Sequence, residues 1–103
     1  MTSRFKIEMD YAKAVMQSQK LESLASDLEK ACSDLDSSMT QLGNGWKGDE
    51  ATAYRSKGSQ LSEKISANAR QLRETAQAVK DIARKIRETE QENIRIAEQR
   101  NYE

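Results

Sequence analysis

Apolar residues recur at every seventh position along most of the chain, and this spacing constrains the fold more than any other feature of the sequence. In the first half the repeat is carried by aliphatic side chains, namely Ala14, Leu21, Leu28, Leu35 and Leu42. Leu24 and Ala31 follow three residues after members of this row, and charged residues lie mostly off it. Such a repeat is typical of an amphipathic helix that packs along a seam. The pattern predicts a helix over about residues 10–42.

The repeat is interrupted once, at mid-chain, by a segment rich in glycine: Gly43, Asn44, Gly45, Trp46, Lys47 and Gly48. We expect Gly43 to end the first helix in the left-handed conformation that glycine adopts readily. Asp49 and Glu50 favour a new helix start, because acidic side chains interact well with the free N–H groups there. The second helix is predicted from about residue 49 to 90 or beyond. Its seam consists of Gly58, Leu61, Ile65, Leu72, Val79, Ile82 and Ile86.

The two ends of the chain depart from the seven-residue repeat. Phe5 and Ile7 alternate with polar residues, which predicts a short extended arm over residues 1–9. Aliphatic residues become sparse near the carboxyl end, so we expect a frayed tail over about residues 91–103.

Two helices joined by a short turn predict an all-α, antiparallel helical hairpin as a single domain over residues 1–103. The chain has no proline and 33% charged residues, a composition typical of long solvated helices. Each apolar stripe is wider than one neighbouring helix can cover, so we expect a second hairpin to complete a four-helix bundle. The predicted interface consists of large aliphatic residues from both seams: Leu21, Leu24, Leu28, Leu35, Leu61, Ile65, Leu72 and Val79.

The residue inventory points away from catalysis. The chain has no histidine and a single cysteine, and it lacks a phosphate-binding glycine loop or a metal-ligand motif. No catalytic residue, metal or cofactor is therefore predicted. Cys32 lies on the apolar side of the first helix, which predicts a small buried core residue. An intermolecular disulfide or a reactive thiol are the alternatives.

Charge and hydropathy restrict the classes of partner. The chain has 17 Lys plus Arg and 17 Asp plus Glu, without the basic stretch that would follow a phosphate backbone, so nucleic acid is not an expected partner. No run approaches the ~20 apolar residues of a membrane span. The first ten residues lack the apolar region of a cleaved signal peptide. These features predict a cytoplasmic location but allow export by a route that needs no cleaved signal.

The turn and the residues after it resemble the WXG family of early-secreted-antigen-like helical hairpins. Trp46-Lys47-Gly48 stands between two amphipathic helices, and Ala51 and Tyr54 follow on the second helix, similar to the small residue and the aromatic of the family pattern. The resemblance covers the whole chain in length and layout. It implies a non-enzymatic protein of bacterial type VII secretion. Such a protein is cytoplasmic before export and then secreted or at the cell surface.

The resemblance also implies partners and site residues. Family members form homodimers, or heterodimers with a related helical protein or a toxin N-terminal domain, and the type VII secretion ATPase recognises them. Trp46 and Gly48 are the predicted turn residues: Trp46 closes the end of the bundle or acts in recognition, and Gly48 meets a backbone requirement. The family export signal, Tyr-x-x-x-Asp/Glu, is not matched. Tyr102 and Glu103 are the candidates for a targeting tail.

Three functional hypotheses stay open on the sequence. The chain is an exported substrate or substrate partner, or a targeting adaptor or chaperone for a larger secreted toxin, or a coiled-coil scaffold unrelated to secretion. The heptad pattern does not decide between homodimer and heterodimer.

Overall fold

Two α-helices make up nearly all of the described chain. In the computed structural model, which describes residues 3–101, α1 spans Arg4–Gly43 and α2 spans Asp49–Asn101. The helices run antiparallel on either side of a short turn, and no strand occurs within the described range. The predicted all-α helical hairpin is confirmed.

The first helix begins at Arg4, so the predicted extended arm over residues 1–9 is wrong in its described part. Ser3 explains the early start, because its Oγ accepts a hydrogen bond from the Lys6 N–H at 3.1 Å. Its carbonyl accepts another from the Ile7 N–H at 3.0 Å. This N-cap satisfies a donor that every helix start leaves free. Ile7 is buried while the apolar residues two positions away are exposed, as a single helical face requires.

The end of α1 is closed by a side chain and not by a left-handed glycine. Gly43 is the last residue of α1, and the positive φ among the described residues belongs to Gly48, at 98°. The prediction for Gly43 is therefore wrong. Arg55 Nη2 donates a hydrogen bond to the Gly43 carbonyl at 2.5 Å, and the Trp46 N–H donates to the same oxygen at 3.2 Å. These donors satisfy a carbonyl that a helix end otherwise leaves free.

The second helix begins as predicted, with Asp49 and Glu50 in its first turn. It is helical through the described part of the segment predicted to fray, residues 91–101. Arg95 donates to both carboxylate oxygens of Glu92, at 3.0 and 2.5 Å, and this hydrogen bonding lowers the pKa of Glu92. A pair spaced by three residues supports helical structure where aliphatic residues are few.

The chain packs as two compact units, each made of one stretch of α1 and one of α2. One unit extends to Leu21 in α1 and resumes at Glu74 in α2, and the other is Glu22–Arg73. We call them the terminal unit and the turn unit. That the whole chain forms a single domain stays a prediction.

Polar contacts join the two helices of the terminal unit near the chain ends. Arg4 Nη2 contacts both carboxylate oxygens of Glu98 at 3.1 Å. The Arg87 guanidinium lies 3.8 Å from the centre of the Tyr11 ring and 3.7 Å from a carboxylate oxygen of Glu8. A cation above an aromatic face is attracted by the ring quadrupole. Polar and cation–π contacts therefore join the start of α1 to α2, beside the buried side chain of Ile7.

Candidate functional site

Small side chains fill the space between the helices. In the turn unit Ala25, Cys32 and Ala69 are buried, and so is Ser62. In the terminal unit Ser18 and Ala76 are completely buried. These residues form two heptad rows, which we call the inner rows: Ser18, Ala25 and Cys32 in α1, and Ser62, Ala69 and Ala76 in α2. Small residues allow helix backbones to approach closely, and in these rows it is they, and not the leucines, that are buried.

The buried hydroxyls and the thiol of the inner rows have hydrogen-bonding partners. Ser18 Oγ donates to the Ala76 carbonyl at 3.0 Å. Cys32 Sγ lies 2.8 Å from Ser62 Oγ and 3.4 Å from the Ser62 carbonyl oxygen. Burial of a polar group is tolerated when it is hydrogen-bonded. The prediction that Cys32 is a small buried core residue is confirmed.

The large aliphatic residues lie beside the inner rows and keep much of their surface exposed. In the turn unit Leu24 is 52% exposed and Leu61 is 50% exposed. In the terminal unit Ile82 is 58% exposed. The other six predicted interface residues are partly buried: Leu21, Leu28, Leu35, Ile65, Leu72 and Val79. None of the eight is fully buried, so all of them retain surface that a partner could cover.

Helical geometry explains this ordering. Ala25, Cys32 and Ala76 each lie four positions after a leucine, as Ala25 follows Leu21, whereas Leu24 lies three positions after it. At 3.6 residues per turn these offsets fall on opposite sides of the leucine. The partly buried row therefore lies between the inner row and a more exposed apolar flank. We call the partly buried row and this flank together the aliphatic face.

The turn presents a second apolar surface. Trp46 and Tyr54 are 46% and 38% exposed, and their ring centroids lie 5.1 Å apart at an interplanar angle of 58°. This tilted arrangement is favourable for aromatic pairs. A cavity of about 260 Å³ is lined by Trp46, Lys47, Glu50 and Ala51. The sequence identified both aromatics but not their contact, which depends on the path of the turn.

The predicted turn glycine has a clear conformational role. Gly48 has a φ of 98°, a region that side chains with a Cβ rarely adopt, and no neighbouring atom would crowd a Cβ there. Its carbonyl accepts hydrogen bonds from the Thr52 N–H and hydroxyl, at 3.1 and 3.2 Å. Gly48 therefore positions the first turn of α2 through backbone conformation.

Arg55, which closes α1, was not identified from the sequence. The sequence shows only that Gly43 and Arg55 lie on either side of the turn. In the structure the two residues are close together, since an added Cβ on Gly43 would lie 2.8 Å from Arg55 Nε. The targeting-tail candidates Tyr102 and Glu103 lie outside the described residues.

The described residues contain neither a metal-ligand group nor a membrane span. Within residues 3–101 no group of three or more His, Cys, Asp or Glu side chains is arranged to hold a metal ion. Neither helix, over the same range, contains a stretch long and apolar enough to cross a membrane.

Comparison with known proteins gives one match. The family model WXG100, described as proteins of 100 residues with WXG, matches residues 6–91, which is most of the chain. No curated protein and no solved structure matches it.

Proposed function

Since the chain belongs to the WXG100 family of small helical proteins associated with type VII secretion, we propose that it binds a helical partner through its aliphatic face and is exported with that partner. The partner is a second copy or a related helical protein, including the N-terminal domain of a toxin. The pair is recognised by the secretion ATPase in the cytoplasm and then leaves the cell. The role is binding and not catalysis.

The exposure of the large aliphatic residues carries this proposal. A hairpin that used its leucines for its own core would bury them and leave its alanines outside. Here Ala25 is completely buried while Leu24, its neighbour in sequence, is half exposed. Contiguous exposed apolar surface marks an interaction site. A second hairpin placed on this face would produce the four-helix bundle predicted from the heptads.

The turn supports a recognition role at one end of the hairpin. Trp46 and Tyr54 expose aromatic surface, and aromatic residues are enriched in protein interfaces. We propose that a partner or the secretion ATPase contacts this surface.

Export of a tagged chain tests the proposal. The parent chain and a Leu24→Asp/Leu61→Asp variant are expressed in a bacterium with a functional type VII system, with and without its ATPase. We expect the parent in the culture supernatant only when the ATPase is present. The variant should remain in cells, since charges on the aliphatic face prevent pairing. Gln19→Asp, at another exposed position of α1, is the matched control and should be exported.

The competing hypotheses give different results in the same cells. An adaptor or chaperone stays in the cytoplasm while a larger partner appears in the medium. A scaffold unrelated to secretion pairs normally but shows no dependence on the ATPase. Export of the Leu24→Asp/Leu61→Asp variant at the parent level would contradict the proposed role of the aliphatic face.

A further inference from the structure

The turn contains an Asn-Gly pair that lies outside both helices. Because α1 ends at Gly43 and α2 begins at Asp49, Asn44 and Gly45 belong to the connection between them, and both are exposed. The side-chain carbonyl carbon of an asparagine can be attacked by the backbone nitrogen of the next residue, which closes a succinimide ring. Backbone freedom and the size of the next residue decide where in a chain this reaction occurs.

Gly45 leaves the attack on the Asn44 side chain unobstructed. Apart from its chain neighbours, no atom lies within 4 Å of the position that a Cβ would occupy on Gly45. Glycine also has more backbone freedom than any other residue, so its nitrogen can turn toward the side chain. Asn44 lines a cavity of about 480 Å³ together with Asp36, Arg55 and Glu63, all within the turn unit. This polar, open space admits the water that the reaction needs.

Asn68 and Asn93 lack these conditions. Both lie within α2, and they are followed by Ala69 and Ile94. In a helix interior each backbone N–H donates to the carbonyl four residues earlier, which fixes the nitrogen that would attack. The Cβ of the following residue adds steric hindrance. Asn44 is therefore the reactive member of these three asparagines.

The reaction needs only hydroxide and water. Hydroxide removes the Gly45 N–H proton, and the nitrogen forms a bond to Asn44 Cγ. The Cγ–Nδ2 bond breaks, and the leaving nitrogen takes a proton from water and departs as ammonia. Water then opens the succinimide by breaking one of the two bonds to the Gly45 nitrogen. Opening at Cγ gives aspartate, and opening at the backbone carbon gives isoaspartate, in which the chain continues through Cγ.

Isoaspartate at this position changes the hydrogen bonding that closes the turn. The Trp46 N–H donates to the Gly43 carbonyl at 3.2 Å, a β-turn bond that encloses Asn44 and Gly45. Isoaspartate inserts one carbon into the backbone inside this ring, so the bond no longer has its normal geometry. The Gly43 carbonyl keeps its second donor, Arg55 Nη2 at 2.5 Å. The modification therefore opens the turn without removing the side-chain closure of α1.

We propose that Asn44–Gly45 is a site of spontaneous covalent modification, at which deamidation through a succinimide gives isoaspartate and opens the turn. The reaction adds a negative charge to the connection between the helices. The proposal goes beyond the proposed function, since the reaction requires neither a partner nor export.

Peptide mapping by mass spectrometry tests the site of reaction. The full-length chain is incubated at mildly alkaline pH, where hydroxide is more abundant. We expect Asn44 to exchange its side-chain NH₂ for an oxygen and to give two chromatographically distinct products, while Asn68 and Asn93 stay intact. Gly45→Ala should slow the conversion of Asn44 by about 10-fold, because a Cβ hinders the attack and restricts the backbone. Asn44→Gln, which lengthens the side chain, is the matched control and should prevent the reaction at this position.

Two results of the mapping would overturn the proposed site. Conversion of Asn68 or Asn93 as fast as that of Asn44 would show that the turn does not select the residue. Conversion of Asn44 at the parent rate in Gly45→Ala would show that the open position of Gly45 does not control the reaction. Neither result bears on pairing or export.

Hydrogen exchange tests the opening of the turn. The isoaspartyl form is separated from the parent by ion exchange, and exchange at the Trp46 amide should be faster in it than in the parent. Asn44→Asp has the same added charge in a normal backbone, so it should keep the parent's protection at Trp46. Parent-level protection of Trp46 in the isoaspartyl form would show that the modification leaves the turn closed.

Discussion

Gly58 lies in α2 against the Met39 side chain of α1, within the turn unit. It is buried, and a Cβ there would overlap the end of the Met39 side chain and lie 2.7 Å from its Sδ. The sequence places Gly58 on the seam of α2, and a glycine in a helix interior is unfavourable for helix propensity. The sequence could not identify Met39, because the register of the two helices depends on the path of the turn.

Substitution of Gly58 by alanine should lower the free energy of unfolding by about 1 kcal/mol. Overpacking costs about 2 kcal/mol, and the better helix propensity of alanine offsets about 1 kcal/mol of this. In a Met39→Ala background the overlap disappears, and the same substitution should stabilise the chain by about 1 kcal/mol. Urea denaturation at fixed protein concentration measures both. An equal loss in the two backgrounds would show that Met39 is not the obstacle.

Gly48→Ala should lower the free energy of unfolding by about 1–2 kcal/mol, because the substituted residue must keep a backbone conformation that strains a Cβ. Gly45→Ala is the matched control in the same turn. Gly45 has no positive φ and no atom within 4 Å of an added Cβ. Thermal unfolding of the two variants should differ accordingly, and equal midpoints would contradict the role assigned to Gly48.

At the scale of elements, the sequence predicts the existence of both helices but not all of their ends. The start of α2 follows from Asp49 and Glu50, whose carboxylates suit a helix start. The start of α1 was misjudged because alternation over a few residues is compatible with either a strand or a helix. Ser3 was the better signal, since a serine three residues before a helical N–H is a common N-cap.

Ser3→Ala should therefore destabilise the first turn of α1. Loss of the hydrogen bond to the Lys6 N–H costs about 1 kcal/mol. Hydrogen exchange of the amides near the start of α1 should accelerate, while exchange in the turn unit stays the same. Ser23→Ala, at an exposed mid-helix position, is the control and should slow exchange or leave it unchanged. Protection of the Lys6 amide that does not depend on Ser3 would rule out the cap.

The inner and outer positions of each helix could be predicted only in part. The heptads correctly located the apolar side of both helices, with Cys32 on the apolar side of α1. They did not show that small residues occupy the buried positions between the helices, because periodicity gives the direction of an apolar stripe and not which edge of the stripe faces the neighbouring helix. Ser18 and Ser62 extend the two small-residue rows at seven-residue spacing and could have revealed the inner rows.

For the whole molecule, substitutions at exposed and at buried apolar residues should have different effects. Leu61→Asp should weaken self-association while changing the unfolding free energy of the monomer by less than about 0.5 kcal/mol, because Leu61 is half exposed. Ala69→Leu should destabilise the monomer by about 1–3 kcal/mol, because Ala69 is 2% exposed and its space is filled. Sedimentation and urea denaturation separate the two effects. Loss of monomer stability in Leu61→Asp would indicate that this leucine belongs to the core.

The sequence anticipates the proposed partner-binding role of the aliphatic face only through an excess of apolar surface. The heptads showed more apolar surface than a hairpin can cover, and Leu24 and Leu61 are among the residues left exposed. The aromatic contact of Trp46 with Tyr54 and the closure of α1 by Arg55 depend on the three-dimensional path of the turn, for which local spacing gives no measure.

The small size of the inner-row side chains has a mechanical consequence. When a hairpin is pulled apart from one end, the resisting force depends on the apolar area uncovered with each turn that separates. Alanine, serine and cysteine expose little apolar area when the helices separate, and their side chains regain little rotamer freedom. Without its proposed partner, a chain built in this way would yield to modest traction. In the proposed pair, much of the resistance to traction would therefore lie in the contact between the two chains, and dissociation would remove it.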